Sequence, residues 1–295
     1  MTNVIFYTRL EWEAGRGWCV VKLTTKQISL MTVLAAMYYL VNFLPGVPIV
    51  GTAGGQIKPS MILGPVYGMA LGPWLGTVTA FLGALLAWMI PPGAPNPFSF
   101  LMGVPPPTVS AFVAGALTMT KMSIGFSKVK IPGWALSSTV LALLIAGWYF
   151  TWVGQQAPFY PVLQFAGLTL ALALGWKVGQ FYEGGDRRRL TVAVALASYC
   201  GVIADHMIGN IAFIESIGWF IPWEFVQGML ADMGLLDVPS LFMFMLPVST
   251  VERVVLAVLT TFVGVAVIVA LRLIGFMPSP KLTPAPAGSG ELVKT

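Results

Sequence analysis

Eight apolar stretches run through the chain, at about 28 to 44, 59 to 72, 74 to 90, 105 to 120, 133 to 153, 159 to 176, 190 to 211 and 249 to 272. Nearly all Lys and Arg residues fall in alternate gaps between them. A hydrocarbon layer of about 30 Å takes roughly 20 apolar residues in a helix, and backbone groups inside it must be satisfied within the segment. The pattern therefore predicts an all-α polytopic transmembrane bundle of about eight spans, six at the least. Residues 59 to 90 read either as a helical hairpin broken at Pro73 or as one long kinked helix, because Pro removes a backbone donor and clashes with the preceding turn. Only the hairpin keeps the charge pattern consistent.

Basic residues collect on the cytoplasmic side of span ends. With the N-terminus inside, Arg9, Arg16, Lys22 and Lys26 are internal, as are Lys121, Lys128, Lys130, Lys177 and Arg187 to Arg189, followed by Arg272, Lys281 and Lys294. That accounts for fourteen of the sixteen, with Lys58 and Arg253 as exceptions. The segment from about 212 to 248 carries Glu215, Glu224, Asp232 and Asp237 without Lys or Arg, which fits the exterior. The expected organisation is a cytoplasmic leader over 1–24, a transmembrane domain over 25–276 with that external segment, and a disordered cytoplasmic tail over 277–295. Both termini are expected in the cytoplasm, in a multi-pass protein of the cell membrane.

At 57% hydrophobic and 9% charged, the chain has no stretch suited to a separate soluble domain. Its net charge of +5 is spread over internal loops as a topology signal, which argues against nucleic-acid binding. The first apolar run lacks a following small-residue cleavage site and reads as a signal anchor. Cys19 and Cys200 are expected in different environments, so a disulfide between them is not expected.

Three groups of residues carry possible chemistry. Gly64, Gly68, Gly72 and Gly76 recur every fourth residue, a spacing that lets helices approach closely in lipid and suits either internal packing or a sliding or partner-binding face. Trp148, Tyr149 and Trp152 close the fifth span, with Gln155, Gln156, Tyr160 and Gln164 following. They read as an interfacial aromatic belt, or as a pocket in which rings stack on a flat ligand and amides bond its edges. Asp205, His206 and Asn210 lie late in the seventh span, and Glu252 with Arg253 opens the eighth. Ionisable groups at membrane depth face a partner or a cavity, so Asp205 either pairs with Arg253 or Lys58 or meets a ligand.

One histidine cannot supply the paired axial ligands of a haem bundle, and there is no Cys/His cluster for zinc or iron and sulfur. No metal or other cofactor is expected. There is no Gly-Lys-Ser or Gly-Lys-Thr phosphate loop and no Gly-x-Ser-x-Gly elbow, so neither ATP binding by a P-loop nor enzymatic activity has support.

The entry Leu23-Thr24-Thr25-Lys26-Gln27-Ile28 precedes a first helix containing Leu34-Ala35-Ala36-Met37, and Leu63-Gly64-Pro65-Val66-Tyr67-Gly68 continues to Gly72. Over residues 23 to 90 this resembles the substrate-binding S component of an energy-coupling factor (ECF) transporter. The resemblance implies a subunit that captures a vitamin or similar small molecule outside and docks to a transmembrane coupling subunit and two cytoplasmic ATPases. On it, Thr32, Ala36, Gly64, Gly68 and Gly72 would form the docking face. Trp148, Trp152, Gln155, Gln156, Gln164, Asp205 and Asn210 would line the substrate pocket. The other readings are an autonomous secondary transporter or channel that uses Asp205 or Glu252 as a relay, and an enzyme acting on lipid with Asp205 and His206 as acid or base.

Overall fold

The computed structural model describes residues 10–12, 19–21, 23–48, 56–90, 95–123 and 130–277. Most of the expected leader, the tail beyond Met277 and part of the 45–58 loop lie outside these residues. The architecture is all-helical. Ten α-helices are described: α1 (Thr25–Val41), α2 (Leu63–Met89), α3 (Pro97–Gly103), α4 (Pro105–Leu117), α5 (Gly133–Phe150), α6 (Trp152–Gln156), α7 (Val162–Glu183), α8 (Arg187–Ser216), α9 (Trp223–Asp232) and α10 (Val238–Leu273). The described strands are three short antiparallel pairs in the connections. Six stretches are long and apolar enough to cross a membrane, namely Pro59–Met89, Pro97–Leu117, α5, α7, α8 and α10.

The start of α1 follows from a local rule. The Thr24 hydroxyl accepts from the Gln27 amide at 3.3 Å, while Gln27 Oε1 accepts from the Thr24 amide at 2.9 Å. This reciprocal capping box satisfies two donors that a helix start otherwise leaves unpaired.

The stretch 59–89 is two arms rather than one rod. Gly72 adopts φ 80° and ψ 172°, a conformation costly for any residue with a Cβ, and Pro73 follows it. In an unbroken helix Gly68 and Gly76 would lie about 12 Å apart along the axis. Here a Cβ on Gly76 would come within 2.5 Å of the Gly68 Cα, so the arms fold back on each other at Gly72. The hairpin reading of Pro73 holds, with Gly72 supplying the turn.

Contacts sort the loops into two ends. Arg272 of α10 donates to the carbonyls of Tyr182 and Gly184, and Thr120 donates to Glu183 at 2.5 Å. The Gly72 turn lies beside Met119. The Gly72 turn, the α4–α5 and α7–α8 connections and the end of α10 therefore share one end of the bundle, which also carries Lys121, Lys130 and Arg187 to Arg189. At the other end Ser60 donates to Asn42 at 3.2 Å, and Trp152 meets Trp223 of α9 with ring centroids 6.2 Å apart.

Two boundaries differ from the sequence reading. The eighth stretch begins at Val238 rather than 249, with Pro247 carried inside the helix. A helix of 36 residues is about 54 Å long, well beyond a bilayer core. Pro247, which could have been expected to end a helix, lies within it. Asp237 sets the true start through a capping box with Ser240. With α8 running to Ser216, the connection between α8 and α10 is 217–237, shorter than the expected 212–248, and α9 lies within it.

Candidate functional site

Two helical stripes define a cavity near the end opposite the basic loops. On α10, Leu241, Met245, Ser249 and Arg253 follow one another at four-residue steps, which places them on one face over about 18 Å. On α8, Asp205, Gly209 and Phe213 form a matching stripe, with His206 and Asn210 beside it. Between them lies a space of about 210 Å³. Met61, Met102 and Pro106 close one side, and Tyr160, Phe242 and Met229 of α9 close others.

Charge at the floor of this cavity is paired loosely. Asp205 Oδ2 lies 3.9 Å from Arg253 Nη1, and Glu252 Oε2 lies 3.8 Å from Arg253 Nη2. Asp205 and Arg253 are 3% and 5% exposed, so neither is solvated. Charge-assisted hydrogen bonds normally close to about 2.7–2.9 Å. These pairs stop an ångström short, and Asp205 Oδ1, Arg253 Nε and Arg253 Nη1 have no hydrogen-bond partner. A buried polar atom left in that state costs about 1–3 kcal/mol, more when charged.

A second layer fixes the wall. The Gln164 amide donates to the Ile203 carbonyl at 3.4 Å and to His206 Nδ1 at 3.5 Å. A donor on Nδ1 leaves the imidazole proton on Nε2, which faces the Tyr160 oxygen at 3.2 Å. Asn210 Nδ2 donates to the same oxygen at 3.1 Å, leaving the phenol proton for a further partner. Behind the phenol, Trp148 stacks at 4.7 Å between ring centroids and donates its indole N–H to the Ala157 carbonyl at 3.3 Å. Phe242 meets both rings edge-on.

The expected site residues separate accordingly. Asp205 and Asn210 line the cavity. Gln164 stands one layer back and holds His206. Trp148 is fully buried and supports Tyr160 instead of meeting the cavity. Trp152, Gln155 and Gln156 are not brought to this cavity. They lie on the exposed side of α6 and are absent from the cavity lining, because α6 turns Val153 and Gly154 inward, Val153 joining the core that holds Met207 and Phe242. His206, Glu252 and Arg253, singled out as ionisable groups but not placed in the substrate pocket, join the lining, as do Ser249 and the four methionines Met61, Met102, Met229 and Met245, which were not singled out. The signal for Arg253 was available, since it broke the charge rule. Asp205 pairs with Arg253, as one reading held.

The docking set also divides. Thr32 and Ala36 are on an exposed face of α1. Gly64 and Gly68 are buried against α4, where a Cβ on Gly64 would lie 2.9 Å from the Pro107 carbonyl oxygen and one on Gly68 would overlap that of Ala111. Gly72 makes the turn and is half-buried. Gly64 and Gly68 are spent on internal packing, while Gly72 keeps part of its surface at the basic end. Among the described residues no group of three His, Cys, Asp or Glu side chains could hold a metal ion.

An uncharacterized protein of Methanocaldococcus jannaschii is 29% identical over 152 residues, which cover 50% of this chain and 46% of that relative. The match thus spans about half of each protein. No protein-family model matches the chain, and no solved structure matches it.

Proposed function

We propose that this chain is a membrane-embedded capture subunit for the uptake of a vitamin or similar small molecule, with the α8–α10 cavity as its binding site. The observation that carries the reading is that Asp205 and Arg253, which line a mostly apolar cleft, carry buried polar atoms with no hydrogen-bond partner. A folded chain that wanted only stability would do as well with apolar residues at both positions. Intramembrane ionisable groups of this kind mark binding sites and pathways.

The proposed topology has eight passages through the cell membrane. α1, the two arms of α2, the α3–α4 pair, α5, α7, α8 and α10 alternate in direction, with both termini on the cytoplasmic side and the cavity in the outer half. Energy would come from a transmembrane coupling subunit and two cytoplasmic ATPases, as the resemblance implies. The exposed Thr32 and Ala36 face of α1 and the half-buried Gly72 turn remain available for docking. Affinity purification of the tagged protein from its native membranes, followed by identification of co-purifying chains, tests this. Two ATPases and a membrane subunit support the coupled reading, and their consistent absence across several detergents removes it.

The unpartnered Asp205 Oδ1 favours one other reading, an autonomous carrier in which Asp205 takes up a proton or cation. Uptake by the purified protein alone in liposomes under a proton gradient separates this from the coupled subunit, which would be inactive there.

A further inference from the structure

We infer that the α8–α10 cavity is shaped for a small zwitterion, an α-amino acid with an apolar side chain or a close relative, its ammonium on Asp205 Oδ1 and its carboxylate on Arg253. The inference rests on the capture reading and names the ligand class.

The unpartnered atoms at the cavity floor are of both kinds, acceptor and donor. Asp205 offers an oxygen with no donor, and Arg253 offers Nε and Nη1 with no acceptor. Their side chains face each other at 3.9 Å, close enough for adjacent groups of one small molecule to reach both. A carboxylate oxygen accepts only, and a guanidinium donates only, so the complement of this pair must present an N–H donor and an oxygen acceptor together. A zwitterion does so without adding net charge to a buried site.

Single-charge ligands fit less well. A plain anion would satisfy Arg253 but stand against both Asp205 and Glu252. A plain cation finds two carboxylates and the rings of Tyr160 and Phe242, and is the nearest competitor. It would nonetheless leave Arg253 Nε and Nη1 unpaired and would place like charge beside the guanidinium. Glu252 already faces the far nitrogen, Nη2, at 3.8 Å, so the carboxylate free to receive an ammonium is that of Asp205.

Apart from Tyr160, His206, Asn210 and Ser249, the remainder of the space has an apolar lining. Met61, Met102, Met229 and Met245 line it with Phe213 and Phe242. Thioether side chains are flexible and polarizable and adapt to more than one apolar shape. The charged floor would thus demand the amino acid head, while the methionine wall would tolerate several side chains.

The test uses full-length protein purified from its own membranes. Small molecules released on denaturation are identified by mass spectrometry, and the melting temperature is then followed with L-methionine, 3-(methylthio)propylamine and 4-(methylthio)butanoate. The expected result is a released zwitterion, and L-methionine binding at least about tenfold more tightly than either single-charge analogue, because a site built to hydrogen-bond a group rejects ligands lacking it. A released plain cation, anion or neutral molecule, or an analogue that binds as well as L-methionine, overturns the inference and leaves the capture reading intact. No released molecule and no shift with any of the three probes overturns both, leaving a water-filled cavity. These comparisons are made on the wild-type protein, so they do not depend on a variant that fails to fold.

Discussion

Asp205 Oδ2 of α8 and Arg253 Nη1 of α10 face each other at 3.9 Å, both side chains buried, and this pair is the only ion pair among the described residues that ties those two helices together. Removing one partner strands the other. Arg253→Met should destabilise the protein by about 3–5 kcal/mol, whereas the double variant Asp205→Leu/Arg253→Met should recover most of the loss. Thermal unfolding of the two single variants and the double checks this. Recovered stability without recovered ligand binding separates the role in binding from the role in folding.

The Tyr160 oxygen accepts from Asn210 and His206, while its ring lies between Trp148 and Phe242. Tyr160→Phe keeps the ring packing and should cost roughly 0.5–1.5 kcal/mol for each hydrogen bond lost. Trp148→Ala removes the support and should cost about 3–5 kcal/mol. Trp152→Ala, which loses only the ring contact with Trp223, and the pair Gln155→Ala/Gln156→Ala should leave ligand retention unchanged. Denaturation midpoints compared across the series decide the first two claims. Ligand retention in the α6 variants decides the third.

How far residues could be read ahead of the fold depended on how local their cause was. The break at Pro73 is written in local sequence and was read as a hairpin, whereas the capping box of Thr24 and Gln27, equally local, was read only as part of a family resemblance and Gly72 only as part of a packing ladder. The same locality explains why Thr24-Thr25-Lys26-Gln27 is weak as a family signature, since any helix start can use it. Arg253 was visible as a violation of the charge pattern, but its burial 15 residues into α10 depended on Asp237 starting that helix at Val238. The methionine wall comes from four separate segments, and no spacing within one segment announces it. Aromatic and amide residues clustered in sequence at 148 to 156 suggested a pocket, yet α6 turns Val153 and Gly154 inward and two of the three amides in that neighbourhood outward.

Gly68 packs so tightly against α4 that a Cβ would overlap the Ala111 carbonyl oxygen. A backbone atom cannot yield as a flexible side chain does. Gly68→Ala should therefore destabilise by about 3 kcal/mol or more, at the upper end of overpacking. Gly209→Ala, at a position with open space around it, should be tolerated. Melting temperatures of the two variants provide the comparison.

The start of α10 should depend on pH. Hydrogen bonds from Ser240 hold the Asp237 carboxyl below its usual range, and the Ser240 amide donates to it at 2.8 Å. A depressed folded-state pKa means the cap is fully in force above the unfolded value and is lost as pH falls through the folded one. Amide exchange at Ser240 and Leu241, corrected for intrinsic rates, should be protected at neutral pH and lose that protection in acid. Asp237→Asn, which caps without titrating, should abolish the pH dependence.

The eight-passage topology can be read by labelling single cysteines in a background with Cys19 and Cys200 replaced by serine. Leu236→Cys, at a position 97% exposed beside the start of α10, should react with a membrane-impermeant maleimide on intact cells. Arg188→Cys, at the basic end, should react only after permeabilisation. The opposite pattern would invert the bundle.

The central claim is that the α8–α10 cavity holds a small molecule, and Gly209 allows it to be filled without disturbing its walls. A Cβ at this position meets nothing within 4 Å, and the residue lines the cavity. Native mass spectrometry of the wild-type protein and of Gly209→Leu, each released from lipid nanodiscs after purification from native membranes, is the most direct measurement. The wild-type protein should carry a bound small molecule, and Gly209→Leu should melt with the ligand-free wild-type protein yet be bare. A wild-type protein that is itself bare, or a variant that carries the same molecule, would contradict the assignment of this cavity as the binding site.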